Sequence, residues 1–110
     1  MRMEIRSVDH HLDKELAEHI ERRLGFALGR FDPDIERVAV RVREINHAHN
    51  GNADKLCRIQ LDLVFGPALV AEADGPDLLS AVDLAADRIA RLVGSTLKRR
   101  HYGHTARVLV

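Results

Sequence analysis

The sequence predicts an α+β fold, a two-layer β-α-β-β-β-α sandwich in which a four-stranded mixed sheet carries both helices on one face. Four segments alternate apolar and polar residues with the period of two that is typical of half-buried strands. Two longer segments repeat apolar residues every three or four positions, as amphipathic helices do. The chain has 110 residues, of which 45% are hydrophobic and 31% are charged, and this length and composition favour a single core.

Residues 1–8 predict the first strand, because apolar Met3 and Ile5 are separated by charged residues. The next segment predicts the first amphipathic helix. Its apolar positions are Leu16, Ile20, Leu24, Ala27 and Leu28. Asp13 is predicted to cap the start of this helix, and Leu12 is placed for a hydrophobic staple. A Phe-Asp-Pro-Asp turn is expected to follow the helix.

Alternation returns in residues 35–45, which predict the second strand, and again in about 56–65, which predict the third. The intervening residues 46–54 are dense in Asn, Gly and Asp, and their Asn-Gly pair favours a hairpin turn. A Gly-Pro turn then leads into a shorter fourth strand over 68–73. These residues therefore predict consecutive antiparallel hairpins.

The last element is predicted to be a long helix that starts with Pro76 in its first position. Its apolar stripe contains Leu78, Ala81, Val82, Ala85, Ile89, Leu92, Val93, Thr96 and Leu97. The single domain is expected to span residues 1–102. Residues 103–110 form a C-terminal tail that is either disordered or adds 108–110 to a sheet edge.

The predicted topology follows from the order of the elements. A β-α-β opening requires a parallel pair of strands with a right-handed crossover, whereas the later hairpins are antiparallel. Every strand has one polar face, so both helices are expected to cover the other face of the sheet.

Composition excludes several classes of protein. No apolar run approaches the roughly 18 residues of a membrane span, and the N-terminal residues lack the apolar run of a secretory signal, so no membrane association and a cytoplasmic location are expected. Cys57 is the single cysteine and is expected to be a buried thiol. The 17 Lys and Arg balance the 17 Asp and Glu, so any binding to nucleic acid must depend on local charge.

Catalytic and metal motifs are not found. The sequence has no Gly-rich phosphate loop, Cys pair, nucleophile elbow or HExxH motif, and we therefore expect neither an enzyme nor a cofactor. His47 and His49 would offer two imidazoles to a metal beside Asp54, but no third nitrogen or sulfur ligand is near, so no metal site is predicted. Asp87 lies four residues before Arg91 in the predicted last helix, and this spacing favours an ion pair between them.

Basic residues gather in two places. The outer faces of the two predicted helices carry the larger group, whose guanidinium and ammonium groups are suited to phosphate contacts. This group is Arg22, Arg23, Arg30, Arg88, Arg91, Lys98, Arg99 and Arg100. The second group, on the open face of the sheet, is Arg6, Arg41, Arg43 and Arg58. Phe65 is the single aromatic candidate on the sheet, so a base-stacking platform is not predicted there.

The element order and several stretches of sequence resemble a known family. They are the opening MEIRS strand, the helix LDKELAEHIERRL with its Phe-Asp turn, and PDLLSAVDLAADRIARLV in the last helix. The chain resembles the short-form ribosome hibernation-promoting factors and ribosome-associated inhibitors, once called sigma-54 modulation proteins, over about residues 1–100.

This resemblance implies a stress protein that binds the small ribosomal subunit in the channel for mRNA and tRNA and thereby inhibits translation. It also implies that basic helix residues contact the ribosomal RNA backbone, with Arg23, Arg88 and Arg91 at positions where the family keeps basic side chains. Phe26 stands where family members often carry Lys. The alternative is a divergent family member that acts as a weakly homodimerising interaction module, through its fourth strand or its tail, without binding ribosomes.

Overall fold

The computed structural model describes residues 1–8, 12–45 and 55–109, with side chains described as far as Arg99. Its elements are β1 (Arg2–Ser7), α1 (Lys14–Leu28), a 3-10 helix (Gly29–Asp34), β2 (Ile35–Glu44), β3 (Lys55–Leu63), β4 (Ala68–Gly75) and α2 (Leu78–Leu109). This order confirms the predicted α+β fold.

The strands form one sheet in the order β1-β2-β3-β4. β1 pairs with β2 in parallel, whereas the β2-β3 and β3-β4 pairs are antiparallel, as predicted from the connections. Gly66, in the turn between β3 and β4, has a φ of 153° that residues with a side chain rarely adopt. The sheet is therefore a mixed one with β1 and β4 at its edges.

Alternation along the strands sorts the residues between two faces. Val38, Val40 and Val42 of β2 are buried beneath the helices, as are Ile59 and Leu61 of β3. The helices complete the same core from above. Their fully buried side chains include Ile20, Leu24, Leu28, Val82, Ile89 and Val93. Both helices therefore cover one face of the sheet, and the other face is left open.

The caps of the two helices explain where each begins. The backbone N–H of Glu15 donates to the Asp13 carboxylate over 3.0 Å, which confirms the predicted cap of α1. α2 begins at Leu78 and not at Pro76, because the Asp77 carboxylate accepts the backbone N–H of Ser80 over 2.8 Å. This hydrogen bond holds the pKa of the Asp77 carboxyl below its usual value.

Two segments are helical where the sequence predicted a turn and a tail. The expected turn after α1 is a 3-10 helix, and its Phe31 side chain packs against the core. The Phe31 ring lies beside Gly94 of α2, where a Cβ would be 3.5 Å from it, an ordinary van der Waals distance. α2 continues unbroken through Gly94 to Leu109. The backbone of 103–109 is therefore helical, and residues 108 and 109 do not extend a sheet edge.

Replacement of Leu24 by Ala is expected to lower the free energy of unfolding by about 2–5 kcal/mol, because Leu24 is fully buried and its truncation leaves a cavity. The matched control is Phe26→Ala on the same helix, whose side chain is 90% exposed. Urea denaturation measures both variants. Equal losses of stability in the two variants would contradict the described core.

The Cys57 thiol gives a second test of the core. Burial raises the pKa of this thiol to about 12, whereas an unfolded thiol titrates near ~8.5. The folded state keeps a proton that the unfolded state loses, so stability falls as the pH rises above the unfolded value. Between pH 8.5 and 10 this loss is expected to reach about 1.6 kcal/mol relative to Cys57→Ala. Urea denaturation at both pH values measures it, and parallel pH profiles would contradict the buried thiol.

Candidate nucleic-acid interface

The exposed cations on the outer faces of α1 and α2 include Arg22, Arg91 and Lys98. None of them forms an ion pair with another residue in the described part of the chain. An unpaired, exposed cation keeps its full charge for a partner such as a phosphate. These three residues are therefore the most available of the predicted helix group.

Arg23 is placed differently from the sequence expectation. Its guanidinium contacts the Asp87 carboxylate at 2.5 Å and the Asp83 carboxylate at 3.4 Å. His19 lies 3.2 Å from the same Asp83 oxygen. The described ion pair of Asp87 is thus with Arg23 and not with Arg91, because the two helices pack side by side. Arg23 thus links α1 to α2 by ion pairs, and the Asp83 and Asp87 carboxylates neutralise most of its charge.

Three other members of the predicted group have contacts within the chain. Arg88 donates to the backbone carbonyl of Glu72 over 2.7 Å, which anchors α2 to β4 and leaves its charge unneutralised. Arg99 donates to the Thr96 hydroxyl over 3.4 Å. The Arg30 guanidinium lies 4.6 Å from the centroid of the Phe31 ring. The Arg100 side chain lies outside the described part of the structure.

A groove of about 670 Å³ runs between the helices and brings two of the predicted arginines together. Arg23 and Arg30 line it with Phe26, Ala27, Asp87 and Ala90. Phe26 is 90% exposed in this groove. An exposed aromatic ring among arginines is a composition that RNA-binding surfaces use for stacking. The basic group predicted from the sequence did not include Phe26 as a contact, and the position of Phe26 off the apolar stripe of α1 was the available signal.

The open face of the sheet carries the second basic group as predicted. Its arginines line a cleft of about 520 Å³ together with Arg37. The lining residues are Glu4, Arg6, Val8, Arg37, Ala39, Val40, Arg41, Arg43, Leu56, Arg58, Gln60 and Glu72. Arg37 pairs with Glu4 at 2.6 Å and Asp62 at 3.7 Å, and the Arg37 hydrogen bond holds the pKa of the Glu4 carboxyl below its usual value. No aromatic side chain lines the cleft in the described residues.

The residues weighed as metal ligands, His47, His49 and Asp54, lie outside the described residues. Within the described ranges, no three His, Cys, Asp or Glu side chains are grouped as metal ligands. No described helix has the length and apolar character needed to cross a bilayer.

Comparison with known proteins identifies relatives of the chain. A family model described as sigma 54 modulation protein / S30EA ribosomal protein matches residues 3–101. None of the curated proteins matches the sequence.

Two solved structures share the fold. A ribosomal subunit interface protein from Coxiella burnetii superimposes with a TM-score of 0.72 at 17% sequence identity, covering 89% of this chain and 99% of that one. The N-terminal domain of Protein Y from Thermus thermophilus superimposes with a TM-score of 0.66 at 23% identity, covering 84% and 96% of the two chains. At these identities the two structures establish the shared fold.

Proposed function

The chain belongs to the family of sigma 54 modulation proteins and S30EA ribosomal proteins, and from this membership we propose that it binds the small ribosomal subunit and inhibits translation. The match over residues 3–101 is the observation that carries the proposal. The family description names a regulatory or ribosomal protein and no chemical reaction, which supports a binding role. Because ribosomes are its partner in this proposal, its location is the cytoplasm.

The outer helix face supplies the contacts in this proposal. Arg22, Arg91 and Lys98 are exposed and lack carboxylate partners in the described part of the chain, so each can approach an RNA phosphate without first breaking an ion pair. Arg88 is held against β4 by its bond to the Glu72 carbonyl, and its orientation is fixed before binding. Preorganised cations of this kind lose less side-chain freedom when they bind.

Phe26 adds a contact of another kind. Phe26 lines the same groove as Arg23 and Arg30, and it is 90% exposed. Stacking of an unpaired base on such a ring contributes about 1–3 kcal/mol and does not require a particular base. Phe26 therefore replaces a charge contact by a stacking contact at a position where the family often carries Lys.

Inhibition follows from where the chain binds in this proposal. A folded domain in the channel for mRNA and tRNA on the small subunit excludes both ligands by its volume. A structural neighbour that is named a ribosomal subunit interface protein supports a position between the subunits. The alternative of a homodimerising module is not favoured, because the family model that matches the chain is described as a ribosomal protein and not as a dimerisation module.

Competition on the small subunit tests the proposed site. Purified 30S subunits pre-loaded with mRNA and initiator tRNA are expected to bind less of the protein than empty subunits, and added protein is expected to displace tRNA. Co-sedimentation with labelled tRNA measures both effects. Simultaneous binding of tRNA and protein would exclude channel occupancy, and no co-sedimentation with empty subunits at low salt would exclude ribosome binding itself.

Arg91→Gln tests the helix face. Loss of one phosphate contact is expected to weaken binding to small subunits and to reduce the slope of log affinity against log salt by about 0.7–0.9. The slope is measured by co-sedimentation at several salt concentrations. Arg2→Gln is the matched control, because it removes the same charge from the open face of the sheet. The helix face is not the RNA contact if both variants change the slope equally.

A further inference from the structure

Three arginines on the open face of the sheet stand side by side on neighbouring strands. Arg6 of β1 is the Cα partner of Arg41 of β2, and Arg41 is the Cα partner of Arg58 of β3. Adjacent strands are about 4.8 Å apart, so all three side chains leave the backbone within about 10 Å. Like charges placed directly opposite each other destabilise a sheet. This row therefore raises the free energy of the unliganded fold and favours a bound anion.

The chain itself neutralises this row only at one end. Arg58 contacts the Glu72 carboxylate at 3.3 Å. Arg6 and Arg41, and Arg43 beside them, form no ion pair with any residue in the described ranges. The nearest acid on β1 is Glu4, and it is already bound to Arg37 at 2.6 Å. The excess positive charge is thus concentrated at the centre of the sheet.

A depression suited to a small ligand lies over these charges. The cleft has a volume of about 520 Å³, within the range of roughly 300–1,000 Å³ that small-molecule sites occupy. Ala39 is its central small residue, and it lies along β2 between the long side chains of Arg37 and Arg41. Because the Ala39 side chain is short, the longer side chains of Arg37 and Arg41 line the cleft on either side of it.

The boundaries of the cleft indicate the size of the ligand. Glu4 of β1 and Glu72 of β4 line the cleft, and Asp62 and Asp74 lie on the same open face of the sheet, on β3 and β4. An extended polynucleotide crossing the sheet would pass over these carboxylates. The described lining also has no aromatic ring on which a base could stack. A compact, highly charged anion matches this arrangement better than a nucleic-acid strand.

We propose that the cleft over Ala39, with Arg6, Arg41 and Arg58 on three adjacent strands, binds a compact oligophosphate, a ligand that has at least two linked phosphate groups. Guanidinium groups bind phosphate oxygens in bidentate pairs, and three of them in a row can engage successive phosphates of one chain. An inorganic polyphosphate and the phosphate chain of a nucleotide share this chemistry. The site is on the opposite face of the sheet from the helices, so it is independent of the proposed ribosome contact.

Calorimetric titration of the full chain with inorganic triphosphate, orthophosphate and ATP, without divalent metal ions, tests the proposal. Triphosphate is expected to bind at least about tenfold more tightly than orthophosphate, and Arg41→Gln to weaken triphosphate binding by about tenfold or more. Arg2→Gln, on the same face but outside the cleft, is the matched control and is expected to bind like the wild type. Tighter binding of ATP than of triphosphate would assign the ligand to nucleotides, and equal binding would assign it to phosphate chains in general.

A second variant separates a built cleft from loose charge attraction. Ala39→Leu keeps every charge but fills the base of the cleft with a larger side chain. It is therefore expected to weaken triphosphate binding about as much as Arg41→Gln does. Thermal unfolding without ligand controls for folding, and Arg41→Gln is expected to unfold no earlier than the wild type because a like-charge contact is removed. Equal affinities for orthophosphate and triphosphate would overturn the proposal. So would triphosphate binding that neither variant changes, or single-stranded RNA binding that depends on Arg41 in the absence of triphosphate binding.

Discussion

The burial of one face of the sheet beneath two helices is the constraint on which the other features of this protein depend. Period-two alternation turns Val38, Val40 and Val42 of β2 toward the helices, and α1 and α2 cover them with Ile20, Leu24 and Ile89. Because only one face of the sheet is buried, the polar side chains of all four strands share the other face. The outer surfaces of the helices form the opposite side of the molecule. The fold therefore has two separate polar surfaces, and each can evolve its own charge without changing the core.

The chain has 17 basic and 17 acidic residues, yet positive charge is in local excess on parts of both surfaces. Between the helices, Asp83 and Asp87 neutralise Arg23. At the edge of the sheet cleft, Glu4 and Asp62 neutralise Arg37. These pairs are partly exposed to solvent, and such ion pairs contribute little to stability. Each of these two arginines is paired with two carboxylates, so fewer acids are left to neutralise the other basic residues. A chain without net charge therefore still has positively charged patches.

The parts of the structure that local pattern controls could be predicted from the sequence. Alternation located all four strands, the 3.6-residue period located both helices, and the Asp13 cap placed the start of α1. The parts that depend on packing between distant residues could not. Arg23 and Asp87 are 64 positions apart, and helix periodicity alone favoured Arg91 as the partner of Asp87. Pro76 is a strong helix-start signal, but the Asp77 carboxylate reaches the Ser80 N–H and sets the start instead.

In the candidate sites too, features set by local pattern could be predicted from the sequence and features set by long-range packing could not. Membership of the open face could be read from strand parity, which placed Arg6, Arg41 and Arg58 there correctly. Their alignment in one row could not, because register between strands depends on pairings that the sequence does not specify. The register also determines the cost of the row: a shift of two residues in β2 relative to β1 would place Ala39 or Arg43 opposite Arg6. The observed register places Arg41 opposite both Arg6 and Arg58, and the apolar pairing on the buried face, such as Val40 with Ile5 and Ile59, keeps it in place. Core packing thus holds the three arginines side by side, and a bound anion would relieve the like-charge repulsion between them.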